Sequence, residues 1–365
     1  MTTKKIPLSL SRNYVRDWRI EDGIRELIAN ALDQENYDID IAGNTLYINS
    51  YGGTIPEDCI LLGNGSKVSG DSNIGQFNEG LKIALLVLAR NGIDVELRNG
   101  SDKWTPTLEH SDIYNTECLH ICIEKDVYSD TDCVEIDVKG LSTYILDKVE
   151  NNTLALQSDY KYHDTKYGTI LLDEQHKGKV FIGGLFVDNF KSDYGYNFSP
   201  EDFPLDRDRK ALKPFDVQWK CKDIFDEYSK YIEDEEEADK LIHSLSENDE
   251  GMTYSNLHYT NETVLNAADK LYKEKYEGKV VISNFDEYND HVKAGNNTVY
   301  VTNTKLVDVL KQTPSYKEFS IGMKTIEKKD VATLLDEWLD KWQDDISTEA
   351  FNAYEDMVQE IHKLV

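Results

Sequence analysis

Glu26 and Asn30 lie four residues apart in GIRELIANALDQ (23–34), so a helix over this stretch would project a carboxylate and a carboxamide from one face. Ile24, Leu27, Ile28 and Ala31 fall at i, i+3, i+4 and i+7, the spacing of a core-facing stripe. A helix anchored on that stripe could use Glu26 to polarise a water and Asn30 to hold a metal-bound phosphate. The pair by itself also suits an ordinary solvated helix face, so its neighbours must decide.

The segment LLGNGSKVSGDSNIGQFNEG (61–80) carries glycine and serine throughout and runs into LKIALLVLAR, an apolar helix that Gly92 would close. Backbone amides at a helix start form an anion site, and glycine lets phosphate oxygens approach closely. Gly75, Gly80 and Lys82 suit that use, while Ser66 and Lys67 add a hydroxyl and a cation. The Walker pattern G-x-x-x-x-G-K-[ST] is absent, as are the H-R-D and D-F-G motifs of protein kinases.

Composition narrows the field. A chain of 365 residues is longer than one typical core, and 39% hydrophobic residues suffice for packed domains. No apolar run reaches the roughly 18 residues of a membrane span, and MTTKKIPLSL does not read as a signal peptide. Five cysteines without a C-x-x-C pair fit free thiols in a cytoplasmic protein. Cys118, His120 and Cys122 alternate, and read as a buried strand face rather than a metal site. The net charge of −29, with no basic stripe, argues against direct nucleic-acid or membrane binding.

The elements that must position these residues follow from periodicity. Ser11 to Gln34 reads as helical, 44–50 as a strand ended by Gly52-Gly53, and DVELRNG, HICIEKDV and CVEIDVKG as further strands. A helix near 141–150 precedes strands at 167–174 and 179–190. Beyond Pro214 helices dominate; a small βαβα unit spans about 279–312, and two amphipathic helices follow.

In that order, the motifs resemble the GHKL ATPases, the superfamily of gyrase-type topoisomerases, ninety-kilodalton heat-shock chaperones and MutL proteins. RELIANALDQ resembles the family's E-L-x-x-N-A-x-D box. The resemblance implies Glu26 as general base, Asn30 as Mg²⁺ ligand and Asp33 lining the pocket. SNIGQFNEGLKIA resembles the ATP lid, with Gly75, Gln76, Phe77, Asn78, Gly80 and Lys82, and GNGSK resembles the segment leading into it. YGTILL resembles the strand beneath the adenine and points to Thr169. EDFPLDRDRKAL resembles the segment whose arginine reaches the γ-phosphate, here Arg209 with Arg207 as neighbour. The implied fold is α+β: a Bergerat-type sandwich with a mixed sheet covered by helices (1–175), a transducer-like segment (176–250) and a small α/β, helix-rich domain (251–365).

One departure stands out. The family reads adenine with an aspartate in D-x-G-x-G, whereas INSYGGTIPED offers Ser50 at that position, or Asn49 if the turn is shorter, ahead of Gly52. The expected activity is binding and slow hydrolysis of Mg²⁺-ATP, driving lid closure, domain rearrangement and nucleotide-dependent homodimerisation. Stand-alone members occur in bacteria and phages, some tied to phage–host conflict. The alternative is a degenerate fold whose acidic surface engages a basic or nucleic-acid-binding protein partner.

Overall fold

The computed structural model describes residues 2–60, 79–112, 115–203, 213–255, 257, 261–323, 331–342 and 345–364. The chain is α+β and divides into two units, Met1–Asn261 and Glu262–Val365. Among the described residues no helix is long and apolar enough to cross a membrane.

The first unit opens on a seven-stranded sheet made of β1 (Thr3–Ser11), β2 (Tyr37–Ala42), β3 (Thr45–Tyr51), β4 (Asp94–Asn99), β5 (Asp102–Ser111), β6 (Thr116–Glu124) and β7 (Cys133–Lys139). Its order is β1-β6-β5-β4-β7-β3-β2, and every pair is antiparallel. Helices α1 (Ile20–Leu32), α2 (Gly80–Arg90) and α3 (Thr143–Asn151) share its core. Strand alternation explains why. Leu46 and Ile48, Val95 and Leu97, Leu119, Ile121 and Ile123, and Ile136 and Val138 are buried against Ile24, Leu27 and Ile28 of α1 and Leu85 and Leu88 of α2.

The residues between them form the opposite face as a grid of ion pairs. Lys5 meets Glu109 (2.6 Å), and Lys103 and Lys139 meet Glu96 (3.3 and 3.2 Å). Lys139 also meets Asp137 (3.6 Å), and Arg98 meets Glu135 (3.3 Å). The hydroxyl that Tyr128 donates to Glu96 (2.6 Å) helps hold that carboxyl down to about 2 and pushes the phenol up to about 12.

A second sheet comprises β8 (Tyr162–Thr165), β9 (Gly168–Leu171), β10 (Lys179–Ile182), β11 (Leu185–Asn189) and β12 (Gly195–Phe198), ordered β11-β10-β12-β9-β8. The expected mixed sheet is therefore two sheets. The large one is antiparallel throughout, and only β10 and β12 of the small one run parallel. Helices α4 (Pro214–Tyr228) and α5 (Glu235–Ser246) follow, and Phe225 of α4 packs edge-on against Tyr194 and Tyr196.

The second unit holds α6 (Glu262–Leu271), β13 (Val280–Ile282), α7 (Phe285–Lys293), β14 (Thr298–Tyr300), α8 (Thr304–Leu310), α9 (Pro314–Ser320), α10 (Val331–Trp342) and α11 (Thr348–Leu364). Strands β13 and β14 pair in parallel with α7 between them, the βαβ connection that the sequence suggested.

The start of the chain differs from the helical reading of Ser11 to Gln34. Residues 12–17 are turns and α1 begins at Ile20. Arg90, at the end of α2, donates to the carbonyls of Tyr14 (2.8 Å), Val15 (3.0 Å) and Trp18, so these groups need no helical amide. Asp22 then starts α1 by accepting from the Arg19 N–H (2.8 Å). Cys118, His120 and Cys122 do share a face, but it is the one opposite the helices. Cys118 is buried, while His120 and Cys122 are half-buried.

His176, wholly buried, donates from Nε2 to Gln157 Oε1 (2.7 Å) with the amide so oriented, and Nδ1 has no hydrogen-bond partner among the described residues. Burial lowers its pKa, helped by Lys179. The folded state binds this proton later than the unfolded state does, so His176 leaves stability intact above about pH 6.5 and erodes it as the pH falls below that value. Urea midpoints between pH 7.5 and 5 should therefore fall more steeply for the wild type than for His176→Gln; parallel profiles would refute this.

Candidate functional site

The packing of α1 on α2 sets the site. A Cβ on Gly23 would lie 3.4 Å from Ala84 O and from Val87, so this position of α1 lies directly against the middle of α2. One turn further along α1, Glu26 reaches the other end of α2, where a Cβ on Gly80 would lie 2.6 Å from Glu26 Oε2. The helices therefore run antiparallel, with the Glu26 carboxylate at the N-terminus of α2. Only a glycine at position 80 admits it there without displacement. A helix N-terminus carries partial positive charge and favours a carboxylate.

Glu26 is 5% exposed and Lys82, in the first turn of α2, is 4% exposed. Burial lowers the pKa of the Lys82 ammonium, opposed by Cys59 and Glu79. Glu79 at the N-cap supplies no side-chain hydrogen bond to the helix start. Asn30 and Asp33 continue the Glu26 face of α1, both half-buried, and Asp33 closes the helix as its C-cap. The arrangement thus groups a buried carboxylate and a helix N-terminus, with amide and carboxylate oxygens extending beyond them, while the Lys82 ammonium lies in the same first turn near Cys59 and Glu79.

Strand parity separates Ser50 from Asn49. Ser50 continues the row of Leu46 and Ile48 on the helix-covered side, while Asn49 stands on the ion-paired face opposite Glu135. Gly52 adopts a φ of +91°, suited to glycine, and its N–H donates to Asp132 O (2.9 Å). The following loop is clamped by Asn99, which accepts from Ile55 N–H (2.7 Å) and donates to Ile55 O (2.8 Å). Sequence reasoning missed both Asn99 and Asp132. Asn99 ends a strand whose polar terminus looks like simple turn chemistry, and Asp132 sits in the acidic run SDTD.

Thr169 stands elsewhere. It belongs to the second sheet, and its hydroxyl donates to Asp164 Oδ1 (2.7 Å) across the β8–β9 pair. The strands that lie beside β3 are β7 and β2, neither of which carries Thr169. Ser66, Lys67, Gly75, Gln76, Phe77, Asn78, Arg207 and Arg209 lie outside the described residues.

The site and fold thus define an α+β protein whose two antiparallel helices, laid on an antiparallel sheet, present a buried acid at a helix terminus. No protein-family model matches the chain. It is similar to an uncharacterized protein of Mycoplasma pneumoniae (strain ATCC 29342 / M129 / Subtype 1), 26% identical over 220 residues, which span 55% of this chain and 88% of that relative.

Proposed function

We propose that the chain is a GHKL-type ATPase with a Bergerat-type fold, binding Mg²⁺-ATP and hydrolysing it slowly. The observation that carries this reading is Glu26: a buried carboxylate seated on Gly80 at the N-terminus of α2, followed along the same helix face by Asn30 and Asp33. Anions bind at helix starts through backbone amides and the helix dipole. Phosphates at the start of α2 would therefore lie beside Glu26, with Lys82 as a nearby cation. Glu26 accepts a proton from the attacking water, a general-base role. Asn30 and Asp33 offer hard oxygen donors, the type that suits Mg²⁺, which when bound neutralises phosphate charge. Arg209 is assigned the γ-phosphate contact on the motif resemblance alone. Nucleotide-driven closure and homodimerisation would be the output.

The reading is tested by thermal shift and phosphate release with Mg²⁺ and each nucleoside triphosphate. The expected result is a raised Tm with ATP and release above the no-protein rate. Absence of any shift with every triphosphate would end the proposal.

A further inference from the structure

On the α3 side of α1, a half-enclosed cavity of about 220 Å³ opens between α1, α3 and β11. Its frame is fixed by the backbone and by one ion pair. The end of α3 is tied to the β10–β11 hairpin, since Phe186 N–H donates to Asn152 O (2.9 Å) and Leu154 N–H to Gly184 O (2.9 Å). Lys148 of α3 reaches Glu21 of α1 (3.0 Å) and joins the two helices. One wall is aliphatic, formed by the buried core residues Ile24, Ile28 and Val149. The half-buried Phe186 and Val187 of β11 continue it.

The remaining lining groups are polar or charged. Thr153 is only 2% exposed, and its hydroxyl makes no hydrogen bond among the described residues; the same holds for the Asn152 carboxamide. Both groups are left for a ligand or water. Glu21 lies 3.0 Å from Lys148, and Asp22 lies 3.9 Å from Arg25. Two acids and two bases carry no net charge, so the cavity favours a ligand that itself bears both signs. Its volume falls below the roughly 300–1,000 Å³ of drug-sized sites, which suits a molecule the size of one amino acid.

We propose that this cavity binds a single α-amino acid with an aliphatic side chain. The ligand carboxylate accepts from Lys148, Arg25 and the Thr153 hydroxyl, and the ligand ammonium donates to Glu21 and Asp22. Its side chain lies on Ile24, Ile28 and Val149 and removes that wall from water. The two charges of such a molecule hang on neighbouring atoms, so each joins an existing pair and leaves no buried charge bare. The charge-assisted bonds fix its orientation. The cavity adjoins α3 whereas Glu26 adjoins α2, so the inference stands independently of the nucleotide reading.

Titration calorimetry on the full chain with L-leucine, isocaproate, isoamylamine and glycine tests this. The last three lack, in turn, the ammonium, the carboxylate and the side chain of leucine. Leucine should bind, and each of the others should bind about tenfold or more weakly. Lys148→Met should weaken leucine and isocaproate but not isoamylamine; Lys148 is half-buried, so an unchanged Tm will show that the variant folds. Thr153→Val keeps the shape of the wall, removes the hydroxyl, and should also weaken leucine. No heat with leucine, isoleucine or valine at millimolar concentration overturns the proposal, as does equal affinity for leucine and isocaproate. Folded variants at both positions that bind leucine as the wild type does overturn it too.

Discussion

Glu26→Gln is expected to lower phosphate release from Mg²⁺-ATP by about a hundred- to ten-thousand-fold, the range over which a positioned general base acts, while the ATP-induced thermal shift persists. Glutamine has nearly the volume of glutamate, so it can occupy the same buried position against Gly80. What it lacks is a basic oxygen. The variant therefore separates the chemistry of the carboxylate from its packing. Equal release rates for the two proteins, each with the thermal shift intact, would remove Glu26 from the mechanism.

Gly195→Ala is expected to cost about 2–3 kcal/mol of stability, read as a lower urea midpoint, the magnitude typical of overpacked cores. A Cβ at that position would stand 2.5 Å from His176 O and 2.8 Å from His176 Cβ. The collision is with backbone, so no side-chain rotation relieves it. Strand β12 is also hydrogen-bonded on both sides, to β10 and to β9, and cannot shift alone. Gly53→Ala is the control: among the described residues nothing lies within 4 Å of its Cβ, and its φ is not in the left-handed region. Indistinguishable midpoints for the two variants would refute the close contact.

Part of this architecture was legible from residue order alone. The stripe of Ile24, Leu27, Ile28 and Ala31 named the buried face of α1, and all four are within 1% of full burial. The alternation around Ile48, Leu97 and Ile136 marked strands correctly, because one face of the sheet is apolar and the other charged. Strand β5 was missed because Pro106 interrupts it. The structure tolerates that proline since β4 pairs with β5 only as far as Trp104, which leaves the strand one-sided beyond. Strand β2 was missed because Asp38 and Asp40 are poor strand formers, yet it is an edge whose charged positions face away from the core.

In the candidate site, a helical period of four located Glu26 and Asn30, and the glycine spacing located Gly80. The contact between Glu26 and Gly80 was not legible, because it depends on how two helices cross that bring together residues more than fifty positions apart. The same limit applies to Asp132. Its bond to Gly52 lies one step past the β3–β7 register, which local periodicity does not encode.

The ion-paired face of the large sheet bears on how this strongly acidic chain meets other molecules. Its paired residues are Lys5, Lys103, Lys139 and Arg98 with Glu109, Glu96, Asp137 and Glu135, four cations against four anions. These groups cancel, so they contribute nothing to the net charge of −29. Part of the excess stands on the same face, at Asp38, Asp40, Asp94 and Glu124, and part elsewhere, as in the first turn of α5 with Glu235, Glu236 and Glu237. To a basic visitor this face offers those four carboxylates beside the paired grid, and docking flat upon the grid would mean dehydrating eight charges that already have partners. Long-range attraction would draw such a visitor to these unbalanced acidic positions rather than to the paired grid.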